Sequence, residues 1–283
     1  MGQRILSIII PTYNEEKDIC TCLNSLKKQS FKDFEIIIVD DGSTDRTKEF
    51  VRKFKGVRVI EGKHKGSAFS RNLGAKQAKG SILIFVDADM TFDKNYLKNL
   101  VRPLLKDNKI IGTTHDYEIV KNMDNIWSKC WGKVRVSKKE SEKVKIFRAI
   151  KKDKFLELGG FDPKYGYADD QTLWIKHRVG PIVSENTTCY HKNPETLEEI
   201  YKQSRWIGAS INNPLFETPL LKYFSPFLLF LISPIAIPIL SIKKIYKLKN
   251  FKIILPMLVF MSARYFGSIS GISRKIYLNK NYR

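Results

Sequence analysis

Four short apolar runs, each closed by polar and acidic residues, constrain the fold of this chain more than anything else in it. Ile5–Ile10, Phe34–Val39, Val57–Ile60 and Ile82–Val86 are rich in β-branched residues at consecutive positions. Such runs read as strands buried on both faces. The stretches between them change to helical spacing. Asn14 is placed to cap a helix with Glu15 and Glu16 in its first turn and an apolar stripe of Ile19, Leu23 and Leu26. Ser43 is placed to cap a second helix whose Thr47, Phe50, Val51 and Phe54 face the core. Ser67–Lys79, closed by Gly80, and Tyr96–Lys106 read as two more. Strand-helix alternation predicts an α/β fold with a mostly parallel, Rossmann-like sheet and flanking helices. Ligands of such sheets bind at the carboxyl ends of the strands, so residues 11–15, 40–43 and 87–89 are expected along one edge.

From Ile110 to about Trp206 the alternation loosens. This half holds Trp127, Trp131, Gly159-Gly160, the pair Asp169-Asp170, and His191. It reads as the acceptor half (116–215) of one domain, 1–215, whose first part (1–115) binds the donor. Residues 216–283 are expected to be a separate, membrane-associated helical hairpin. Tyr223–Ile242 is twenty residues without a charge, and Ile253–Ile272 is twenty with only Arg264. Each is long enough to cross about 30 Å of hydrocarbon. Two spans are the first reading. The five lysines of residues 243–252 would then sit outside, against the positive-inside tendency, and Pro226, Pro234 and Pro238 interrupt the first segment. An in-plane hairpin would keep the lysines with the rest of the protein, and buried soluble helices are a third arrangement.

The chain carries 50 Lys+Arg against 29 Asp+Glu, a net charge of +21. Anionic lipid headgroups and nucleic acid are the usual partners of such a surface. No helix-turn-helix, zinc or aromatic RNA-binding motif accompanies the charge, so no nucleic acid is expected. The four cysteines fit no zinc spacing and are expected to be reduced thiols. No signal-peptide pattern precedes Pro11, so the first domain is expected on the cytoplasmic side of a membrane.

Four segments, taken in order, carry a resemblance. They are Ser-Ile-Ile-Ile-Pro-Thr-Tyr-Asn-Glu-Glu (7–16), Phe-Glu-Ile-Ile-Ile-Val-Asp-Asp-Gly-Ser-Thr-Asp (34–45), Gly-Ser-Ala-Phe-Ser-Arg-Asn-Leu-Gly (66–74) and Gly-Ser-Ile-Leu-Ile-Phe-Val-Asp-Ala-Asp (80–89). Together they resemble family 2 glycosyltransferases of the GT-A fold. The resemblance implies a hexosyltransferase-type enzyme taking sugar from a UDP- or GDP-sugar, in the setting of cell-envelope polysaccharide synthesis. Tyr13 offers a flat face to a base, and Asp40 or Asp41 an acceptor for a base N–H. By resemblance, Pro11, Tyr13, Glu15 and Asp40 or Asp41 line the base and ribose site, with Arg71 reaching toward the nucleotide.

Asp87-Ala88-Asp89 resembles the family's D-x-D motif at the donor. A departing diphosphate builds up negative charge that Mg2+ or Mn2+ offsets, held by one or two carboxylates. Asp87 and Asp89 are therefore expected metal ligands, and His191 a third. Gly159-Gly160-Phe161-Asp162 and Asp169-Asp170-Gln171-Thr172-Leu173 resemble a G-G-F-D and an E-D-x-x-L element, with Asp169 where Glu is usual. Asp170 aligns with the catalytic base, which takes the acceptor proton in a one-step inverting displacement; Asp169 is its catalytic neighbour. Lys202–Trp206 partly resembles a Q-x-x-R-W element. Arg205 would pair with the diphosphate and Trp206 stack on a sugar, or the helix simply packs at the membrane.

Three functions stay open on the sequence: transfer to a lipid-linked or membrane-proximal glycan, transfer to a polyprenyl phosphate, and an inactive protein that still binds nucleotide sugars.

Overall fold

The computed structural model describes residues 5–210 and 219–278. The expected domain boundary at 215/216 lies outside the described residues. The first hundred residues alternate as read from the sequence. Strands β1 (Leu6–Thr12), β2 (Phe34–Asp40), β3 (Val57–Glu61) and β4 (Ile82–Phe85) are separated by helices α1 (Ile19–Lys27), α2 (Thr47–Arg52) and α3 (Ser67–Gln77). A short β5 (Met90–Phe92) and helix α4 (Tyr96–Lys106) follow. Ile8, Ile9, Ile10, Ile37, Ile38, Leu83 and Ile84 are wholly buried. Alternate residues feed two apolar layers: Ile8, Ile10, Ile38 and Ile84 pack on one face with α1 and α4, Ile9, Ile37, Val39 and Leu83 on the other with α3. Burial on both faces is why these strands show no polar alternation.

The rest of the chain supplies β6 (Gly112–Thr114), β7 (Tyr117–Val120), α5 (Ile126–Trp131), β8 (Val134–Val136), α6 (Lys138–Val144), β9 (Ala149–Lys151) and α7 (Lys152–Glu157). A kinked 3-10 segment at Pro163–Gln171 leads to α8 (Thr172–His177), β10 (Ile182–Val183), β11 (Thr188–His191) and α9 (Leu197–Ser210). The apolar tail forms α10 (Pro219–Leu231), α11 (Ser233–Leu248) and α12 (Ile254–Leu278). The main sheet has seven strands in the order β10-β6-β9-β4-β1-β2-β3. It is parallel except that β9 runs antiparallel to β4 and β6. A second sheet has the order β5-β11-β7-β8.

By contacts the described chain forms two compact units. The first is residues 1–119, 134–163 and 169–192, and the second is 120–133, 164–168 and 193–283. Helix α9, which the sequence grouped with the first domain, belongs to the second unit.

Two expected helix caps are corrected by the structure. Helix α1 starts at Ile19, and Asn14 sits before it at a left-handed φ of 57°. Its Oδ1 accepts from the Thr44 amide at 2.8 Å, and its own amide donates to Ser43 Oγ at 3.0 Å. Helix α2 begins at Thr47, whose Oγ1 accepts from the Glu15 amide at 2.8 Å. Asn14, Ser43 and Thr47 therefore tie the loop after β1 to the loop after β2. The same short polar side chains that cap helices also satisfy loop amides, and spacing alone does not separate the two uses.

Candidate active site

The strand ends of the main sheet, His191 and the pair Asp169-Asp170 all lie in the first unit. β1 and β2 are paired in register from Leu6↔Phe34 to Thr12↔Asp40, so the loops after them start side by side. Tyr13 emerges there, 44% exposed, with the His64 ring 4.4 Å away at a 43° tilt. Pro11 precedes it, opposite Val39. The adjacent carboxylates, interchangeable on the sequence, have different jobs. Asp41 closes the loop before α3, its oxygens accepting from the amides of Lys65 and Gly66 at 2.8 Å each. Asp40 is 1% exposed; its Oδ2 accepts from the amides of Gly42 and Ser43 at 3.2 and 3.0 Å, while its Oδ1 has no hydrogen-bond partner. A buried carboxylate oxygen left unpaired is costly and calls for a donor from a ligand.

The end of β4 delivers the acidic triplet. Ala88 faces the core at 2% exposure, and the flanking aspartates meet different cations. Asp87 Oδ1 pairs with Arg71 at 2.7 Å, and its Oδ2 with Arg148 at 3.4 Å. Burial alone would raise the Asp87 pKa, but the guanidiniums of Arg71 and Arg148 outweigh it and hold the carboxyl well below the usual range. Arg71 reaches on to Asp169 at 3.1 Å. Asp89 instead meets Nε2 of His191, at the end of β11, at 3.0 Å.

Behind His191 lies a polar network that sequence reading missed. Glu118, 2% exposed on β7, accepts from His191 Nδ1 at 2.7 Å and pairs with Arg135 at 2.9 Å and Arg148 at 3.5 Å. A carboxylate only accepts, so Nδ1 carries a proton and Nε2 is the atom turned to Asp89. Burial works against charge on His191, yet Asp89 and Glu118 push its pKa up to about 9. His115 approaches Glu118 at 3.4 Å and Cys189 at 3.3 Å. Ligand atoms of His115, Glu118 and Cys189 lie within 4.8 Å of one another. Burial keeps the Cys189 thiol protonated and the His115 imidazole neutral, and the guanidiniums of Arg135 and Arg148 already pair with Glu118. Asp89 and His191 Nε2 form a second donor pair, one carboxylate and one imidazole, which would hold a divalent cation once Nε2 gives up its proton. Glu15 completes the acidic rim: burial, then Asp89, Asp18 and Asp87, push its pKa up to about 8.

The last part comes from the 3-10 segment. Asn72 of α3 clamps the chain after Gly160 from both sides, donating to the Phe161 carbonyl at 2.7 Å and accepting from its amide at 2.9 Å. Gly159 and Gly160 have φ of 81° and 70°, which a side chain would strain. Asp169 is then bound on both oxygens, by Ser67 Oγ at 2.6 Å and Arg71 at 3.1 Å. Asp170 has no hydrogen-bond partner among the described residues. Burial, and then the neighbouring Asp169 charge, push its pKa up to about 7. A carboxylate so placed holds or releases a proton near neutrality.

Arg205 lies in the second unit, on α9, with its guanidinium 5.9 Å from the Tyr201 ring. Trp206 meets Tyr167 edge-on at 5.1 Å. No local signal marks Glu118, Arg148, His115 or His64, because His191, Asp87, Cys189 and Tyr13, which they meet, stand 73, 61, 74 and 51 positions away in the chain.

Comparison with known proteins agrees with this architecture. The chain is 43% identical over 100 residues to the poly(ribitol-phosphate) beta-N-acetylglucosaminyltransferase TarS of Staphylococcus aureus, covering 33% of this chain and 18% of that protein. It is 34% identical over 125 residues to the UDP-Glc:alpha-D-GlcNAc-diphosphoundecaprenol beta-1,3-glucosyltransferase WfgD of Escherichia coli, covering 43% and 49%. The chain thus matches less than half the length of these relatives. Among solved structures, the mannosyltransferase PcManGT of Pyrobaculum calidifontis, in complex with GDP-Man and Mn2+, superposes with a TM-score of 0.59 at 20% identity, over 95% of this chain and 88% of that one. The TarS fragment 1–349 in complex with UDP gives 0.55 at 21% identity, over 99% and 93%. These likenesses establish the GT-A-like fold. The Glycosyl transferase family 2 model matches residues 7–160, more than half of the chain, and the chain belongs to that family of glycosyltransferases.

Proposed function

We propose that this protein is an inverting, metal-assisted hexosyltransferase that moves a sugar from a UDP- or GDP-sugar onto a lipid-linked or membrane-proximal glycan during cell-envelope polysaccharide synthesis. The observation that carries the reading is the division of labour among carboxylates in one unit: Asp40 with an unpaired buried oxygen, Asp89 against His191, and Asp170 with a pKa raised to about 7. A relative named for transfer from UDP-Glc to a diphosphoundecaprenol-linked sugar, and similar structures holding UDP or GDP-Man, support the substrate class.

Asp40 Oδ1 accepts the base N–H, with Tyr13 and His64 against the base, Pro11 at the loop and Glu15 toward the ribose. Arg71 holds Asp87 and Asp169 in place while leaving Asp170 to act. Asp89 and His191 would hold Mg2+ or Mn2+, which offsets the charge of the departing diphosphate when bound. Asp87, with both oxygens on guanidiniums, supports that site from beneath. Asp170 takes the proton of the acceptor hydroxyl as it attacks the anomeric carbon, and inversion follows from attack opposite the leaving group. Ala88 contributes its backbone beside the donor.

The apolar tail and net charge of +21 favour work at a membrane with anionic headgroups, on its cytoplasmic side. The direct test is incubation of protein-bearing membranes with labelled UDP- and GDP-sugars and Mg2+ or Mn2+, followed by lipid extraction. Label in the lipid phase that disappears with Asp89→Ala is the expected result. No transfer and no donor hydrolysis from any sugar nucleotide would overturn the proposal.

A further inference from the structure

Within the second unit, α10 and α11 form a long apolar rod with α12 running back beside it. The Tyr277 hydroxyl donates to the Tyr223 carbonyl, and the Tyr265 hydroxyl donates to the Leu229 carbonyl at 2.9 Å. The Phe230 and Phe266 rings are 6.1 Å apart, and Ile245 shares a buried cluster with Met257 and Phe260. These pairs make the hairpin antiparallel along its whole length. A stripe at four-residue spacing, Ser233, Ile237, Ser241 and Ile245, is buried, and Ser225 is buried two steps before it. Away from it Phe224, Phe227, Leu231, Ile235, Ile239 and Ile242 are each 55–68% exposed. So extended an apolar face is unusual for a protein surrounded by water.

Residues 223–248 and 251–277 have the length and hydropathy to cross a bilayer. The packing of α12 argues against crossing. Helix α9 lies against it at closest range: a side chain at Gly208 would strike Ser268, one at Gly267 would strike the Tyr201 carbonyl, and one at Gly271 the Arg205 carbonyl. Helix α9 is not a membrane helix, since its outer side carries Glu198 and Lys202, with side chains 73% and 60% exposed. Midway along α12, Arg264 lies 4.3 Å from the ring of Trp131 on α5, which also meets Phe260 at 5.3 Å. From Phe260 to Gly271, then, α12 packs against α5 and against α9, whose outer side is charged. A crossing hairpin would drag those charges into hydrocarbon, where they are strongly disfavoured.

We infer that the α10–α12 hairpin lies in the plane of the membrane, with the Phe224–Ile242 face in the acyl chains of one leaflet. The lysines that follow this face, including exposed Lys243, Lys249 and Lys252, then meet anionic headgroups of that same leaflet. This arrangement also removes the conflict between those lysines and the positive-inside tendency. It rests on membrane association as proposed above, but not on any catalytic step.

The test uses the full chain with Cys20→Ser, which leaves only the buried Cys22, Cys130 and Cys189. Single cysteines at Lys202→Cys on α9 and Lys252→Cys at the hairpin turn are exposed to a membrane-impermeant maleimide outside sealed vesicles of phosphatidylcholine with about 30% phosphatidylglycerol. In-plane binding labels both positions equally from outside. Protection of Lys252→Cys until detergent is added would mean a span and overturn the inference. Flotation with these vesicles should fall at least tenfold in the triple variant Lys243→Glu, Lys249→Glu, Lys252→Glu, or when phosphatidylglycerol is left out. Equal flotation in those conditions would sink the headgroup contact. Absence of flotation with a doubled mass in solution would show the apolar face covered by a second copy instead. None of these readouts depends on glycosyl transfer, so the two proposals fail separately.

Discussion

Glu118 accepts a hydrogen bond from Nδ1 of His191 at 2.7 Å, and the opposite ring nitrogen of His191 faces Asp89 at 3.0 Å. Glu118 comes from β7, His191 from β11 and Asp89 from the turn between β4 and β5, and the Nδ1 proton of the middle one is held by the buried carboxylate behind it. Partners of this kind orient metal-binding histidines and raise their basicity.

Replacing Glu118 by Gln keeps the shape and can still accept at one atom, but removes the charge. We expect Mn2+ affinity, measured by electron paramagnetic resonance titration of the protein without donor, to fall about 10–100-fold. Glu118→Asp should recover part of it. Unchanged Mn2+ binding in Glu118→Gln would place the metal away from His191.

Asp40→Asn retains an acceptor for the Gly42 and Ser43 amides but presents an NH2 group where Oδ1 now stands unpaired. Binding of UDP or GDP, measured by calorimetry, should weaken roughly tenfold or more, as expected when a buried acceptor meets a donor it no longer matches. kcat at saturating donor should change far less. Asp41→Asn should instead loosen the loop before α3, because both Asp41 oxygens hold backbone amides.

Asp170→Asn tests the base. Transfer to a hydroxyl acceptor should fall on the order of 10²–10⁴-fold. Transfer to a phosphate acceptor, whose oxygen is already ionised, should fall much less. In the parent protein kcat/KM should rise with pH through about 7, where Asp170 loses its proton, and this limb should vanish in the variant.

The same group makes a stability prediction. The folded carboxyl titrates near 7 and the unfolded one near 4. Between those values the native state binds more protons, so stability falls as pH rises from 4 to 7 and stays low above it. Asp170→Asn should therefore raise Tm at pH 8, by on the order of 1–3 kcal/mol of stability, and have little effect at pH 4. An equal change at both pH values would show that ionisation is not the cause.

Arg71 is shared between Asp87 and Asp169, at 2.7 and 3.1 Å. Arg71→Met leaves the buried Asp169 and the half-buried Asp87 without it and should cost up to roughly 3–5 kcal/mol in urea unfolding. Arg71→Lys should recover some of that stability but not the bridge, since one ammonium lacks the fork that reaches both partners.

What the sequence determined by itself is the sheet and its working edge. Within the first two strand runs Ile8–Ile10 and Ile36–Val39 are apolar on every residue, a local pattern that suits a doubly covered strand, and parallel pairing then brings residues 11–15, 40–43 and 87–89 to the same end. The motifs at those ends also carried the family. Tertiary structure alone decided the individual jobs. Asp40 differs from Asp41, and Asp169 from Asp170, only in which amides, hydroxyls and guanidiniums the fold brings to their oxygens, and those partners come from distant strands and loops. Asn14 and Ser43 have capping spacing yet tie two loops together, because a short polar side chain bonds whichever backbone group is nearest. The apolar tail has enough length to cross a membrane, but length says nothing of what packs on it; the close approach of α9 at Gly208, Gly267 and Gly271 exists only once both helices are formed.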